Sequence, residues 1–207
     1  MKTQTTQSKR TRTMVECAIL IAASMILSLI KIYEAPLGGS VTLFSMVPLM
    51  IISIRHGLGW GLGSSFVFAV FKLVLGTGNF AYVPTLLGVI ATILLDYIVA
   101  YTSIGLAGAF RKVKFTKNEN ANLTITTLLG VILACFARFM STFINGAVVW
   151  YEITKQGDWN EYVHTVGAWT YSFVYGISYF GPETIMTIIA VPTIVFLLKT
   201  INKNTSK

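Results

Sequence analysis

The chain has 207 residues, of which 54% are hydrophobic and only 12% charged, and its formal net charge is +8. The charged share is about half that of an ordinary soluble domain, which excludes a water-soluble enzyme and makes lipid the expected solvent. The expected fold class is all-α integral membrane, a six-helix bundle forming a single membrane domain over 1–207, with a basic tail at 1–13, the bundle at 14–198 and a second tail at 199–207.

A spanning helix needs about 20 mostly apolar residues, because nothing in hydrocarbon can satisfy a free backbone N–H or C=O. Apolar runs that meet or approach this length predict spans at 14–33, 41–54, 58–75, 88–110, 123–150 and 168–198. The second is short enough to be tilted or partly embedded, and the last two are long enough to tilt or bend.

Lys2, Lys9, Arg10 and Arg12 precede the first span, whose apolar run is too long for the core of a signal peptide and is expected to stay as a helix. It carries Ala18 and Ala22, small residues four apart that let a second helix approach closely. Glu16 and Lys31 lie near its expected ends and are read as snorkelling to the interface. Cys17 and Cys135 both fall inside spans and are read as small apolar packing, not as a disulfide. Arg55 lies between the second and third spans, and Lys72 sits deep in the third.

The fourth span contains Leu94-Leu95-Asp96-Tyr97, a carboxylate beside a phenol in an otherwise apolar helix. An ionisable group there needs a partner: a structural cation, Lys72 or Arg138, or a cationic or amine-bearing ligand. The fifth span brings Arg138, Ser141, Thr142 and Asn145 to one face by spacings of three and four, either as hydrogen-bonding glue between helices or as ligand contacts. The connection at 151–167 adds Trp159, Tyr162 and His164, as a lid or as a solvated loop with interfacial aromatics. The sixth span repeats Tyr171, Tyr175, Tyr179 and Glu183 every four residues. Such a ridge advances about 6 Å per step, too far for a belt at one membrane depth, so it reads as pocket lining. Gly181-Pro182 is expected to bend or interrupt that helix just before Glu183.

Arg111, Lys112, Lys114 and Lys117 lie between the fourth and fifth spans, and Lys199, Lys203 and Lys207 close the chain. With both termini cytoplasmic, all these cations fall on the inner side, which is the positive-inside pattern and makes nucleic-acid binding an unnecessary explanation. No C-x-x-C, HExxH, Walker A or dinucleotide fingerprint is present, so no metal or cofactor is expected.

Several motifs resemble the thiamine-specific substrate-binding (S) component of energy-coupling factor vitamin transporters. They are Gly38-Gly39-Ser40-Val41-Thr42-Leu43 with Met46-Val47-Pro48, Arg55-His56-Gly57, Leu94-Leu95-Asp96-Tyr97 with Gly105-Leu106-Ala107-Gly108, and Tyr171-Ser172 leading to Tyr179 and Pro182-Glu183. The resemblance covers nearly the whole chain and implies vitamin capture from outside, in a complex with a transmembrane coupling subunit and two ATPases, with no hydrolysis by this chain. It implies docking of the coupling subunit on Ala18 and Ala22, and a ligand site of Asp96, Tyr97, Trp150, Tyr171 and Tyr82. Thr142 stands where the family usually has histidine and Tyr175-Gly176 where it has tyrosine and asparagine. The full set of candidate ligand-binding residues adds Thr142, Asn145, Tyr175 and Lys72. The alternatives are an S component for another small vitamin or precursor, and a membrane-embedded enzyme using Asp96 or Glu183.

Overall fold

A computed structural model describes residues 2–35, 39–157 and 160–205. Helix α1 (Lys2–Leu29) leads into a two-stranded antiparallel hairpin, β1 (Lys31–Glu34) and β2 (Ser40–Thr42). Then follow α2 (Val47–His56), α3 (Leu58–Leu75), a 3₁₀ turn at Thr77–Tyr82, and α4 (Leu86–Gly108), a rod that passes through α, π and 3₁₀ geometry. Helix α5 (Glu119–Gln156), a short 3₁₀ turn at Glu161–His164, α6 (Ala168–Ile189) and α7 (Val191–Thr205) complete the chain.

Among the described residues, five stretches are long and apolar enough to cross a membrane: Gln7–Leu29, Leu58–Leu75, Leu86–Gly108, Glu119–Gln156 and Ala168–Thr200. The sixth expected segment, α2, has ten residues and is therefore about 15 Å long, half the hydrocarbon thickness. Its residues from Pro48 to Ile54 are all buried, and Leu49, Met50 and Ile52 pack in one core with Phe68, Ile104, Val131 and Ile194. A helix apolar on all sides belongs inside a bundle, and α2 is wrapped by its neighbours. At its end Ser53 ties α2 to α4: its hydroxyl donates to the Gly105 carbonyl and accepts the Gly108 N–H at 2.9 Å. Gly105 allows this approach, since a Cβ there would lie 2.5 Å from the backbone nitrogen of Leu62.

Several placements differ from the sequence expectation. Residues 31–34 and 40–42 form the hairpin and not helix, because β-branched Ile32, Val41 and Thr42 suit a strand as well as a span and a short apolar run does not distinguish the two. Glu16 lies in the middle of α1, which begins at Lys2, and does not snorkel: it pairs with Arg55 and lies 3.3 Å from His56 Nε2, fastening α1 to the end of α2. Lys31 is in β1 and pairs with Glu34 at 2.5 Å. Pro182 is carried inside α6 without ending it, and the break comes at Ala190, where Pro192 starts α7 at a first-turn position that needs no N–H bond.

Candidate functional site

Two helices widen where the candidate residues lie. Residues Ile93–Val99 in α4 and Gly146–Trp150 in α5 are π-helical, a geometry that pushes an extra residue out of the regular ladder and is common at functional sites. The first segment carries Asp96 and Tyr97, the second ends on Trp150. Their widened turns face each other, so that one oxygen of Asp96, Oδ2, accepts from Trp150 Nε1 at 2.8 Å and from Asn145 Nδ2 at 2.7 Å. Asn145 is fully buried and also donates to Thr92 Oγ1 at 3.2 Å. Among the described residues Asp96 makes no ion pair. Both cations considered as its partner are engaged elsewhere, Arg138 with Glu183, and Lys72 with its Nζ 5.9 Å from the centre of the Tyr101 ring.

Asp96 faces a cavity of about 100 Å³ between α4, α5, α6 and the hairpin. Its α6 wall is the tyrosine ridge: Tyr171 lies parallel to Tyr175 with ring centres 5.9 Å apart, and Tyr175 meets Tyr179 edge-on at 5.7 Å. Its α4 wall is Asp96, Tyr97 and Tyr101, and α5 supplies Arg138, Thr142, Gly146, Trp150 and Thr154. Gly39 and Ser40 of the hairpin close one side. Gly39 packs flat on the Tyr179 ring, and a Cβ there would come within 2.6 Å of it. The Tyr97 hydroxyl donates to the Gly76 carbonyl at 3.1 Å and accepts from Asn79 at 3.2 Å, which anchors the ring in the cavity wall.

At the cavity wall the polar ridge ends in a buried ion pair. Arg138 Nη1 is 3.2 Å from Glu183 Oε2, and Thr42 Oγ1 of β2 donates to Glu183 Oε1 at 2.9 Å. The guanidinium is sandwiched between the rings of Tyr101 and Phe180, at 4.8 and 4.7 Å from their centres.

Of the candidate ligand residues, the structure brings Asp96, Tyr97, Thr142, Trp150, Tyr171 and Tyr175 to the cavity wall, while Asn145 stands behind Asp96. Lys72 and Tyr82 are not in the wall, and Tyr82 is half exposed in the turn before α4. The polar face of α5 divides: Ser141 donates to the Leu95 carbonyl at 2.5 Å and Asn145 bonds α4, as glue, whereas Arg138 and Thr142 face the cavity. In the 151–167 connection, Thr154, still helical, lines the cavity, Tyr162 is exposed, and Tyr151 anchors the end by donating to the Val166 carbonyl at 3.1 Å. Trp159 and Gly38 lie outside the described residues. Tyr101 and Thr154 also line the cavity without being among the sequence candidates, and each lies one helical turn beyond one of them, Tyr97 and Trp150, so the four-residue spacing is the signal that points to them.

Residues 14–204 match the family model described as thiamine transporter protein. The thiamine transporter ThiT of Bacillus subtilis (strain 168) is 31% identical over 186 residues, covering 87% of this chain and 88% of that protein. ThiT of Lacticaseibacillus paracasei is 26% identical over 190 residues, covering 89% and 87%. A solved structure of ThiT from Listeria monocytogenes shares the fold with a TM-score of 0.67 at 24% identity, covering 94% of this chain and 97% of that one.

Proposed function

The chain belongs to the thiamine transporter protein family, and from that membership we propose that it is the membrane-embedded S component that captures thiamine for uptake by an energy-coupling factor transporter. The observation that carries this reading is Asp96, a carboxylate with no cation partner among the described residues, set among aromatic rings in a small cavity. Thiamine combines a flat aminopyrimidine with a cationic thiazolium. A desolvated carboxylate and stacked tyrosines offer what such a ligand lacks on leaving water, a counter-charge and ring faces. Among the described residues the donors to Asp96, Asn145 and Trp150, converge on Oδ2, and Oδ1 would serve the ligand. Tyr97, Trp150, Tyr171 and Tyr175 would pack the rings, with Thr142 contributing its hydroxyl.

The relatives are transporters, and the local chemistry agrees with a binding role over an enzymatic one. Glu183, the second carboxylate of the enzyme alternative, is occupied by Arg138 and Thr42 and is not available as a base. Energy would come from partners. Ala18 and Ala22 are exposed on α1 beside exposed Val15, Ile19 and Ile26, a smooth apolar face suited to close helix approach by a coupling subunit that carries two ATPases. The distribution of basic residues supports a multi-pass orientation with both termini and the 111–117 segment cytoplasmic and the hairpin and cavity toward the outside. Mass spectrometry of small molecules released from the purified protein, followed by calorimetric titration with thiamine, tests the reading. Bound thiamine and a saturable heat are expected, and no heat from wild-type protein refutes the ligand.

A further inference from the structure

At the opposite end from the hairpin, the segment joining α4 to α5 is short, basic and rigidly shaped. Arg111, Lys112, Lys114 and Lys117 occur within seven residues, and among the described residues none of them is in an ion pair. One side chain sets the loop: Asn122 Oδ1 accepts the N–H of Phe115 at 2.7 Å and of Thr116 at 3.3 Å, while its Nδ2 donates to the Val113 carbonyl at 3.0 Å. Held this way, Arg111, Lys114 and Lys117 edge a hollow of about 520 Å³ whose wall also includes Phe115, Thr116 and Thr126. Glu119 is the one carboxylate on that wall. Phe115, with its ring 6.4 Å from Phe110, remains half exposed, and Val113 is exposed beside it.

From this geometry we infer that the hollow is a binding site for the phosphate headgroup of an anionic phospholipid, of the phosphatidylglycerol kind. Three unpaired cations around one concavity complement a phosphodiester, and Glu119 leaves the site net positive. The segment begins three residues after α4 ends at Gly108, so it sits at headgroup level, where an exposed phenyl ring gains by inserting among acyl chains. A soluble anion has no use for Phe115. A lipid uses the ring and the cations together. The loop is already shaped by Asn122, so little ordering opposes binding.

The test is native mass spectrometry of the full-length protein released from nanodiscs of phosphatidylcholine mixed with phosphatidylglycerol, with inorganic phosphate and a short acidic peptide as competitors. Wild type should retain phosphatidylglycerol over phosphatidylcholine. Each cation near an anionic surface contributes about fivefold, so Arg111→Gln with Lys114→Gln and Lys117→Gln should weaken retention by roughly a hundredfold while thiamine binding persists as the control for folding. Phe115→Ala keeps every charge and should also weaken retention of the lipid. Equal retention of both lipids by wild type overturns the site, as does undiminished retention by either variant. Displacement by phosphate alone would assign the hollow to a free anion, and displacement by the peptide to a protein partner; both also overturn the lipid assignment.

Discussion

Asp96→Asn is the most informative substitution, because it removes a charge while preserving shape. The amide oxygen can still accept from Asn145 and Trp150, whose donors lie 2.7 and 2.8 Å from Oδ2, so the walls of the cavity should stand. What is lost is on the ligand side. A charge-assisted hydrogen bond contributes about 1.5–3 kcal/mol net, and two unit charges about 4 Å apart attract by roughly 4 kcal/mol at an effective dielectric of 20. The carboxylate also costs more to desolvate than the amide, which offsets part of this. The expected net loss is about 3 kcal/mol, or roughly 150-fold in Kd for thiamine by calorimetry. Trp150→Phe separates the two contributions of that residue: it keeps a ring and removes the Nε1 donor, and should cost about tenfold, whereas Trp150→Ala should cost about a hundredfold. A Kd for Asp96→Asn within about threefold of wild type would refute the counter-charge role.

Breaking the buried pair at the cavity wall by Glu183→Gln or Arg138→Met should destabilise the protein by about 3–5 kcal/mol, read as a lower thermal midpoint in detergent, and the double change Arg138→Met with Glu183→Leu should recover much of it. Lys72→Gln should leave thiamine affinity unchanged, because Lys72 stands outside the cavity wall beside Tyr101; a clear tightening would show that it competes for Asp96. Ala18→Trp with Ala22→Trp should abolish uptake and co-purification of coupling subunits while leaving thiamine binding intact. A cysteine at exposed Lys112 should resist an impermeant thiol reagent in intact cells, and labelling there would reverse the proposed orientation.

The bundle was legible in the sequence because lipid imposes one strong rule, long apolar helices, and the chain obeys it in five places. The tyrosine ridge was legible for a similar reason, since a spacing of four survives any adjustment of helix ends. The partners of charged groups were not. Asp96, Lys72 and Arg138 were credible mates on sequence alone, yet Arg138 reaches Glu183, 45 positions away, and Asp96 is held by neutral donors on another helix. Pairing depends on helix rotation and depth, which hydrophobic periodicity leaves open. The hairpin was concealed for a local reason: Ile32 and Val41 are as apolar as their helical neighbours, and only the pairing of 31–34 with 40–42 reveals them as strands.

The π turns make the site a matter of counting residues. Each wide turn holds one residue more than a regular α turn, so removing a single position such as Ile98 would let α4 close into a regular ladder while the helix beyond it keeps its facing. Tyr101 would stay on the cavity wall and Gly105 would still meet Ser53, but the wide turn that presents Asp96 and Tyr97 would be gone, although composition and hydropathy would hardly change. A one-residue deletion inside 93–99 or 146–150 therefore acts on the cavity wall alone, and chain length at these two places shapes that wall as much as the side chains they carry.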